Sequence, residues 1–271
     1  MVARAVTGAN NPLGTCLDVV DNTAASPVIL HAPHGGTLVP DAQRAAFTIS
    51  DAEFAAEIAA LTDHATDEMV RPVPGASLVV NRLSRFVVDP ERFPDEREEM
   101  LAVGMGAFYT HGTRHQPIRQ DVSDPALAAF HQHYSRAVEG VTTRALQRHG
   151  QAVILDVHSY PKTALPYELH ADEHRPELCF GHEPFHANDD LLRVVRDAFA
   201  GWEIGENEPF HGAYVPLRHF GTDRRVQSVM LELRRDTYLN LDGHPDSEHM
   251  ADLIARITRI VDAIHAGRTR P

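Results

Sequence analysis

Apolar residues recur along the chain in two spacings, and segments with the two spacings alternate. Short apolar runs predict strands at 26–32, 77–80, 152–157, 178–180 and 226–233. Apolar residues three and four apart predict helices from residue 50 onwards and at 125–148, 189–200 and 247–266. Two stretches with neither spacing, 84–122 and 203–225, are expected to be long functional loops. Such alternation predicts an α/β fold, with a mixed, mostly parallel sheet flanked by helices on both faces.

The helix that begins near residue 50 has the clearest start signal. Ser50 and Glu53 have the spacing of a capping box, in which each side chain bonds the backbone of the other residue. Apolar residues then fall on one helical face at positions 54, 58, 61, 65 and 69. Pro72 stops the pattern, so one continuous helix is expected through residue 69.

Two predicted strands run directly into histidines. The first leads into HAPHGG, which contains His31 and His34, and its glycines let a metal ion or substrate approach the backbone. The second leads into Asp156 and His158. Buried strands deliver such side chains to one edge of a sheet, where α/β enzymes place their sites. The pattern indicates a catalytic zinc site; the alternatives are a plain turn at His34 and an Asp–His pair that caps a strand end.

Glu232 lies inside the apolar run VQSVMLEL. An ionised carboxylate in such a strand is costly unless it is paired or used. Burial also raises the pKa of a carboxyl group towards the value that a general base needs. We expect Glu232 to be functional, and the alternative is a structural ion pair with Arg234 or Arg235.

A third metal ligand is expected on the helix after the first histidine strand. Asp63 and Asp67 lie four residues apart there, with His64 beside them. Catalytic zinc usually has three protein ligands, so one acidic ligand completes the set. Both carboxylates lie opposite the apolar face, and a solvated acidic surface is therefore the alternative for either one.

Three arginines, Arg82, Arg85 and Arg92, lie close together after a predicted strand. A guanidinium group pairs bidentately with a carboxylate. In a protein of net charge −13, such a cluster indicates an anionic small-molecule substrate. The alternative is a set of surface salt bridges with acidic residues of the same segment, which contribute little.

Composition narrows the class of function. A chain of 271 residues with 43% hydrophobic residues predicts one catalytic domain, 1–271. The acidic charge argues against nucleic-acid partners and anionic membrane surfaces, and no stretch approaches the about 20 apolar residues of a membrane span. Only two cysteines, Cys16 and Cys179, and an N-terminus without signal-peptide character predict a cytoplasmic protein. The oligomeric state does not follow from the sequence.

Six motifs, taken together and in order, resemble the N-formylglutamate amidohydrolase family. They are HAPHGG (31–36), TDHATDEM (62–69), NRLSRFVVDPER (81–92), DVHSYP (156–161), NEPFHGAYV (207–215) and VMLELRRDTY (229–238). Each motif is weak alone, but six in the family's order make the match specific. The family is related to the zinc carboxypeptidases and aspartoacylases, so the resemblance implies their phosphorylase/hydrolase-like α/β fold.

The resemblance implies one Zn²⁺ ion held by His34, His158 and an acidic third ligand. That third role carries over to Asp63, with Asp67 as the substitute. The related peptidases have a ligating Glu three residues after the first histidine, whereas this chain has Thr37 there. Glu232 matches the position of the general base in the carboxypeptidases.

The resemblance also implies substrate contacts. Arg82, Arg85 and Arg92 match the basic substrate-binding segment of the family. His211 and Tyr214 lie in a loop that is similar to its substrate-covering loop. The sequence Asp-Pro-Glu-Arg at 89–92 departs from the family's Asp-Leu-Asn-Arg, and a carboxylate in place of the amide adds repulsion beside an anion site.

The reaction implied is zinc-dependent hydrolysis of N-formyl-L-glutamate to L-glutamate and formate, a step of histidine catabolism. Glu232 would take a proton from the attacking water and pass it to the leaving amine. The alternatives are an amidohydrolase for another N-acyl amino acid or small peptide, and a non-catalytic metal-binding protein with this fold. A serine hydrolase is disfavoured because Ser159 lacks the Gly-x-Ser-x-Gly turn.

Overall fold

The computed structural model describes residues 12–168 and 171–269, which are built around one sheet. The strands found there are β1 (Leu17–Val20), β2 (Val28–Ala32), β3 (Ser77–Asn81), β4 (Ala152–Tyr160), β5 (Leu178–Gly181), β6 (Ile204–Glu206) and β7 (Val226–Arg234). They lie in the order β1-β3-β2-β4-β7-β5-β6. The central strands β3, β2, β4 and β7 are parallel, whereas β1 and β5 join them antiparallel. The predicted mixed, mostly parallel sheet is confirmed.

Helices cover both faces of this sheet. They are α1 (Asp41–Arg44), α2 (Asp51–Leu61), α3 (Thr66–Val70), α4 (Pro125–His149), α5 (Asp189–Ala198) and α6 (Ser247–His265). Successive strand residues point to opposite faces, so Ile29 and Ile154 pack into the core beneath α4, and Leu30 and Leu155 into the core beneath α5 and α6. Burial on both faces explains why the central strands are apolar almost throughout.

The single helix predicted from residue 50 through residue 69 is wrong, because the structure has two helices there. The capping box between Ser50 and Glu53 is present and starts α2. However, α2 ends at Leu61, and the short helix α3 begins only at Thr66. The apolar positions keep their helical spacing across this gap, which is why periodicity alone could not reveal it.

The break between α2 and α3 is a tertiary feature. Thr62 is extended, with ψ of 134°, and Ala65 is left-handed, with φ of 59°. The Asp63 N–H donates to the His34 carbonyl oxygen at 3.1 Å instead of to a carbonyl of its own helix. The break therefore ties Asp63 to the loop that follows β2.

Strand β4 is longer than predicted and continues to Tyr160. His158 therefore lies inside a strand, directly opposite Glu232 in the register with β7. The short edge strands β1 and β6 were missed, because strands of four and three residues carry too little periodicity to be recognised. Within the first long loop, the described structure includes a 3₁₀ helix at Glu99–Val103.

Among the described helices, none is long and apolar enough to cross a membrane. The interpretation of residues 1–271 as one catalytic domain stays a prediction. The ends of the chain, at 1–11 and 270–271, lie outside the described residues.

Candidate active site

The imidazole rings of His34 and His158 meet at the carboxyl ends of β2 and β4. These strands are neighbours and parallel, so the residues at their ends share one edge of the sheet. The ring centroids are 5.0 Å apart, and the two Nδ1 atoms are 3.2 Å apart. Both side chains are almost fully buried. The structure thus brings together the two histidines that the strand pattern singled out.

Asp63 lies against the Nδ1 edges of both rings. Its Oδ2 is 3.1 Å from His158 Nδ1 and 3.6 Å from His34 Nδ1. Burial alone would raise the pKa of Asp63, but the contacts with the two histidines hold it well below its usual range. Asp67, the alternative third ligand, instead faces Arg71 at 3.5 Å on the partly exposed surface. The helix break separates the two acids, and only Asp63 reaches the histidines.

The opposite edges of the two rings face other carboxylates. His34 Nε2 is 2.9 Å from Asp89 Oδ1, and His158 Nε2 is 3.0 Å from Asp156 Oδ1. A carboxylate at one ring nitrogen fixes the ring orientation and leaves the other nitrogen available to a metal ion. In His34, whose Nε2 is hydrogen-bonded to Asp89, the Nδ1 atom is therefore available to a metal ion. His158 Nε2 lies close to Asp156 but makes no hydrogen bond within the described structure.

Asp156 is itself held by a buried chain of hydrogen bonds. Its Oδ1 lies 2.7 Å from His31 Nδ1, and the other nitrogen of His31 contacts the Tyr134 hydroxyl. Burial lowers the pKa of His31, which favours the neutral ring. A neutral ring has one N–H, so the arrangement is satisfied when Tyr134 donates to Nε2 and Nδ1–H donates to Asp156. Tyr134, His31 and Asp156 thus form a chain that ends at His158.

The donor atoms of His34, His158 and Asp63 fit a tetrahedral metal ion. Zinc–nitrogen bonds of about 2.0–2.1 Å place the ligand atoms of a tetrahedron about 3.3–3.4 Å from one another. The three observed separations are 3.1, 3.2 and 3.6 Å. The donor set, two imidazoles and one carboxylate, is one that zinc accepts in catalytic sites.

Glu91 offers a second set of donors on the other side of the rings. Its Oε2 is 3.4 Å from His158 Nε2 and 3.5 Å from His34 Nε2, and the three residues are spaced closely enough to hold a metal ion. Those ring nitrogens, however, already face Asp156 and Asp89. Glu91, His31 and Asp156 are also close enough together, but His31 is fully satisfied without a metal. The distances thus admit two donor sets around the two histidines, one with Asp63 and one with Glu91.

Glu232 lies beside this centre on β7, opposite His158 in the strand register. Burial, as the largest cause, raises the pKa of Glu232 to about 7. Its Oε2 is shut off from solvent and has no hydrogen-bond partner in the described part of the chain. Arg234 pairs with Asp236 at 2.7 Å, and Arg235 contacts Ser159 and Asp63. The structural ion pair considered for Glu232 does not form among these residues.

A cavity of about 270 Å³ opens in front of Asp63 and Glu232. Arg85 and Arg92 line it, and both are anchored to Asp89, with Arg85 Nη2 2.7 Å from Asp89 Oδ2. Arg235 lines it as well and was not singled out as a substrate contact from the sequence. The wall of the cavity thus carries the carboxylates of Asp63 and Glu232 together with the three arginine side chains.

Arg82 does not reach this cavity. Its side chain is half exposed, and its Nε lies 3.2 Å from Asp18 Oδ1. The other two arginines of the segment, Arg85 and Arg92, point inwards and line the cavity. Arg82 therefore forms a surface salt bridge, but with Asp18 of β1 and not with the acidic residues of its own segment.

The loop at 207–215 borders the site, and its two candidate residues are placed differently. His211 lines the cavity next to Pro209 and Phe210. Tyr214 stacks beside His31, with ring centroids 5.0 Å apart, and its N–H donates to Asp156 Oδ2 at 3.2 Å. Tyr214 therefore lies on the Asp156 side of the histidines and does not line the cavity in front of Asp63 and Glu232.

Several residues of the site escaped the sequence reasoning. They are Asp89 and Tyr134, which support the histidines, Arg235 and Glu91. A signal was available for Asp89, because it lies between the arginines of one motif and is followed by proline. Tyr134 is one apolar-face residue of a long helix, and nothing in its neighbourhood in the sequence marks it.

Known proteins resemble this chain over most of its length. Residues 26–239 match the family described as N-formylglutamate amidohydrolase. An N-formylglutamate deformylase of Pseudomonas putida is 26% identical over 231 residues, which are 79% of this chain and 82% of that protein.

Two solved structures share the fold. An N-formylglutamate amidohydrolase from Ralstonia eutropha has a TM-score of 0.77 at 19% identity and covers 93% of this chain and 99% of its own. A gene product from Agrobacterium tumefaciens has a TM-score of 0.65 at 18% identity, and the match covers 93% of this chain and 95% of that protein. The family match spans far more than half of the sequence and includes every residue of the site described above. The chain belongs to the N-formylglutamate amidohydrolase family.

Proposed function

We propose that this protein hydrolyses N-formyl-L-glutamate to L-glutamate and formate with the help of one zinc ion. The observation that carries the proposal is the compact set of His34, His158 and Asp63, of which Asp63 lines the same arginine-containing cavity as Glu232. Family membership and the name of the Pseudomonas putida relative support the substrate. When bound, zinc would polarise the amide carbonyl and increase the acidity of water in the site.

Glu232 would act as the general base and then as the general acid. With a pKa of about 7 it can accept a proton from the attacking water near neutral pH. The water oxygen bonds to the formyl carbon, the carbon–nitrogen bond breaks, and Glu232 returns the proton to the amine nitrogen. Its Oε2 accepts no hydrogen bond from any described residue and is therefore free to make these transfers.

Arg85 and Arg92 would bind the carboxylates of the substrate. Both line the cavity, and Arg92 Nε donates no hydrogen bond within the described structure. Asp89 holds the guanidinium group of Arg85, and Glu98 holds that of Arg92 at 2.8 Å, which reduces the entropy lost on binding. Arg235, fixed by Ser159, adds a third positive charge at the wall. Arg82 is left out of this role because of its position.

The two residues of the 207–215 loop would have separate roles. His211 would contact the substrate directly from the cavity wall. Tyr214 would act on the histidines through the hydrogen bond that its backbone N–H donates to Asp156. We further propose a cytoplasmic location and a place in histidine catabolism; both cysteines are buried and free, as expected in a reducing compartment.

A chelation assay tests the proposal. Formate release from N-formyl-L-glutamate should be lost after chelation and restored by Zn²⁺. Full activity in the metal-free protein would contradict the metal requirement. The absence of formate under every condition, with zinc bound, would favour a non-catalytic metal-binding protein.

A further inference from the structure

A second cavity, of about 360 Å³, adjoins the arginine-lined one. Its wall is mostly apolar, although Glu183 also lines it, and its apolar side chains include those of Phe93, Pro94, Val215, Leu217, Phe220 and Met230. Glu91 and Asp156 also line it, and these two carboxylates contact the histidines from the side opposite Asp63. The proposed metal centre therefore lies between the two cavities.

The two cavities share part of their walls. Arg92, His211 and Met230 line both of them. On β7, Met230 borders both cavities and Glu232 only the first, and two residues of a strand span about 7 Å. Along the 207–215 loop, the lining passes from the first cavity to the second at His211. One short molecule can thus extend from one cavity into the other past the catalytic carboxylate.

We propose that the second cavity is a subsite for the acyl group, and that the enzyme also cleaves N-acyl amino acids with acyl groups longer than formyl. The inference rests on the proposed hydrolysis. An N-acyl amino acid has a charged half, which matches Arg85 and Arg92, and an uncharged half, which matches an apolar wall. A formyl group has no carbon chain to place in this space.

The chemistry is the same for any acyl length. Water oxygen bonds to the carbonyl carbon, the bond to the amide nitrogen breaks, and the proton from water ends on the amine. The products are a carboxylic acid and the free amino acid, and no further reactant is needed. Apolar contacts in the second cavity would lower the energy of the bound substrate and the transition state together.

A substrate series measures the subsite. We expect kcat/KM to rise from N-acetyl- to N-butyryl- to N-hexanoyl-L-glutamate by up to about fourfold per methylene group, which corresponds to about 0.8 kcal/mol for each buried CH₂. N-formyl-L-glutamate serves as the reference. If it is hydrolysed while every longer acyl group reacts more slowly, the subsite is refuted and the proposed function stands. If none of the four is hydrolysed, both fail.

A charge at the rim of the second cavity supplies an independent readout. Leu217 is exposed there, and Leu217→Asp should abolish the gain with acyl length because it places a carboxylate against the chain. Turnover of N-formyl-L-glutamate should change less than twofold. The matched control is Leu241→Asp, at a fully exposed leucine that lines neither cavity. An unchanged acyl preference in Leu217→Asp would overturn the assignment.

Discussion

At the scale of single residues, the environment separates the roles of similar carboxylates. Asp63 has two histidines against it and a lowered pKa, whereas Glu232 has a raised pKa and an oxygen without a partner. One carboxylate is therefore set up to bind a cation, and the other to accept a proton.

Glu232→Gln should abolish catalysis and retain zinc. General acid–base groups contribute about 10²- to 10⁴-fold to rate, so we expect kcat to fall within or beyond that range. Metal content by mass spectrometry should remain one per chain. A variant with near-normal kcat would show that another group is the base.

The same substitution should stabilise the metal-free protein at high pH. The ordinary pKa of 4.5 applies to unfolded Glu232 and about 7 to the folded form, so folding binds a proton between these values. Ionised Glu232 therefore lowers the free energy of unfolding, and this loss grows as the pH rises from 4.5 to about 7 and reaches its full size above that range. Glu232→Gln should raise the free energy of unfolding by a few kcal/mol at pH 8, at about 1.4 kcal/mol per pKa unit, and by much less at pH 5. Equal effects at both pH values in urea titrations would contradict the shift.

Three single substitutions locate the third ligand. Asp63→Asn should weaken zinc binding by more than the 10- to 100-fold typical of a residue that only supports a ligand. Asp67→Asn should leave the affinity unchanged, because Asp67 faces Arg71. Competition with a fluorescent chelator measures the zinc affinity of these two variants and of Glu91→Gln. If Glu91→Gln has the largest effect instead, the metal lies on the Nε2 side of the rings.

At the scale of elements, the break between α2 and α3 carries Asp63 to the histidines. Its cost is the left-handed Ala65, a conformation that disfavours residues with a Cβ atom. Ala65→Gly should therefore stabilise the protein by about 0.5–1 kcal/mol. Ala55→Gly, in the exposed middle of α2, should instead destabilise by about 0.5–1 kcal/mol. Thermal or urea unfolding measures the stability of both variants. An equal loss of stability in Ala65→Gly and Ala55→Gly would mean that the backbone at residue 65 is not strained.

The chain from α4 to β4 links a helix to the metal centre. His31→Gln removes the ring that orients Asp156, so we expect a 10- to 100-fold loss of zinc affinity. Tyr134→Phe removes only the hydroxyl contact to His31 and should have a smaller effect in the same direction. His186→Gln is a matched buried control, since His186 bonds to Val226 and Gly221 away from the site. Equal zinc affinity in His31→Gln and the control would refute the supporting role.

At the scale of the whole molecule, the sheet could be predicted from the sequence and much of the site could not. Parallel central strands are continuously apolar, so β2, β4 and β7 stand out, and their ends locate His34 and His158. The position of Asp63 beside the histidines depends on the hydrogen bond from its backbone N–H to the His34 carbonyl oxygen, which joins distant segments of the chain. Arg82 faces Asp18 whereas Arg235 lines the cavity, because the direction of a side chain after a strand depends on how the chain turns. Long-range contacts thus decide what local patterns leave open.

The central claim is that one metal ion binds at the Nδ1 edges of two neighbouring strand-end histidines. Anomalous diffraction at the zinc absorption edge, from crystals of the zinc-loaded protein, tests it most directly. The account predicts a single strong peak about 2.0–2.2 Å from His34 Nδ1, His158 Nδ1 and an Asp63 oxygen. A peak between the Nε2 atoms and Glu91, or no peak at these histidines, would contradict it.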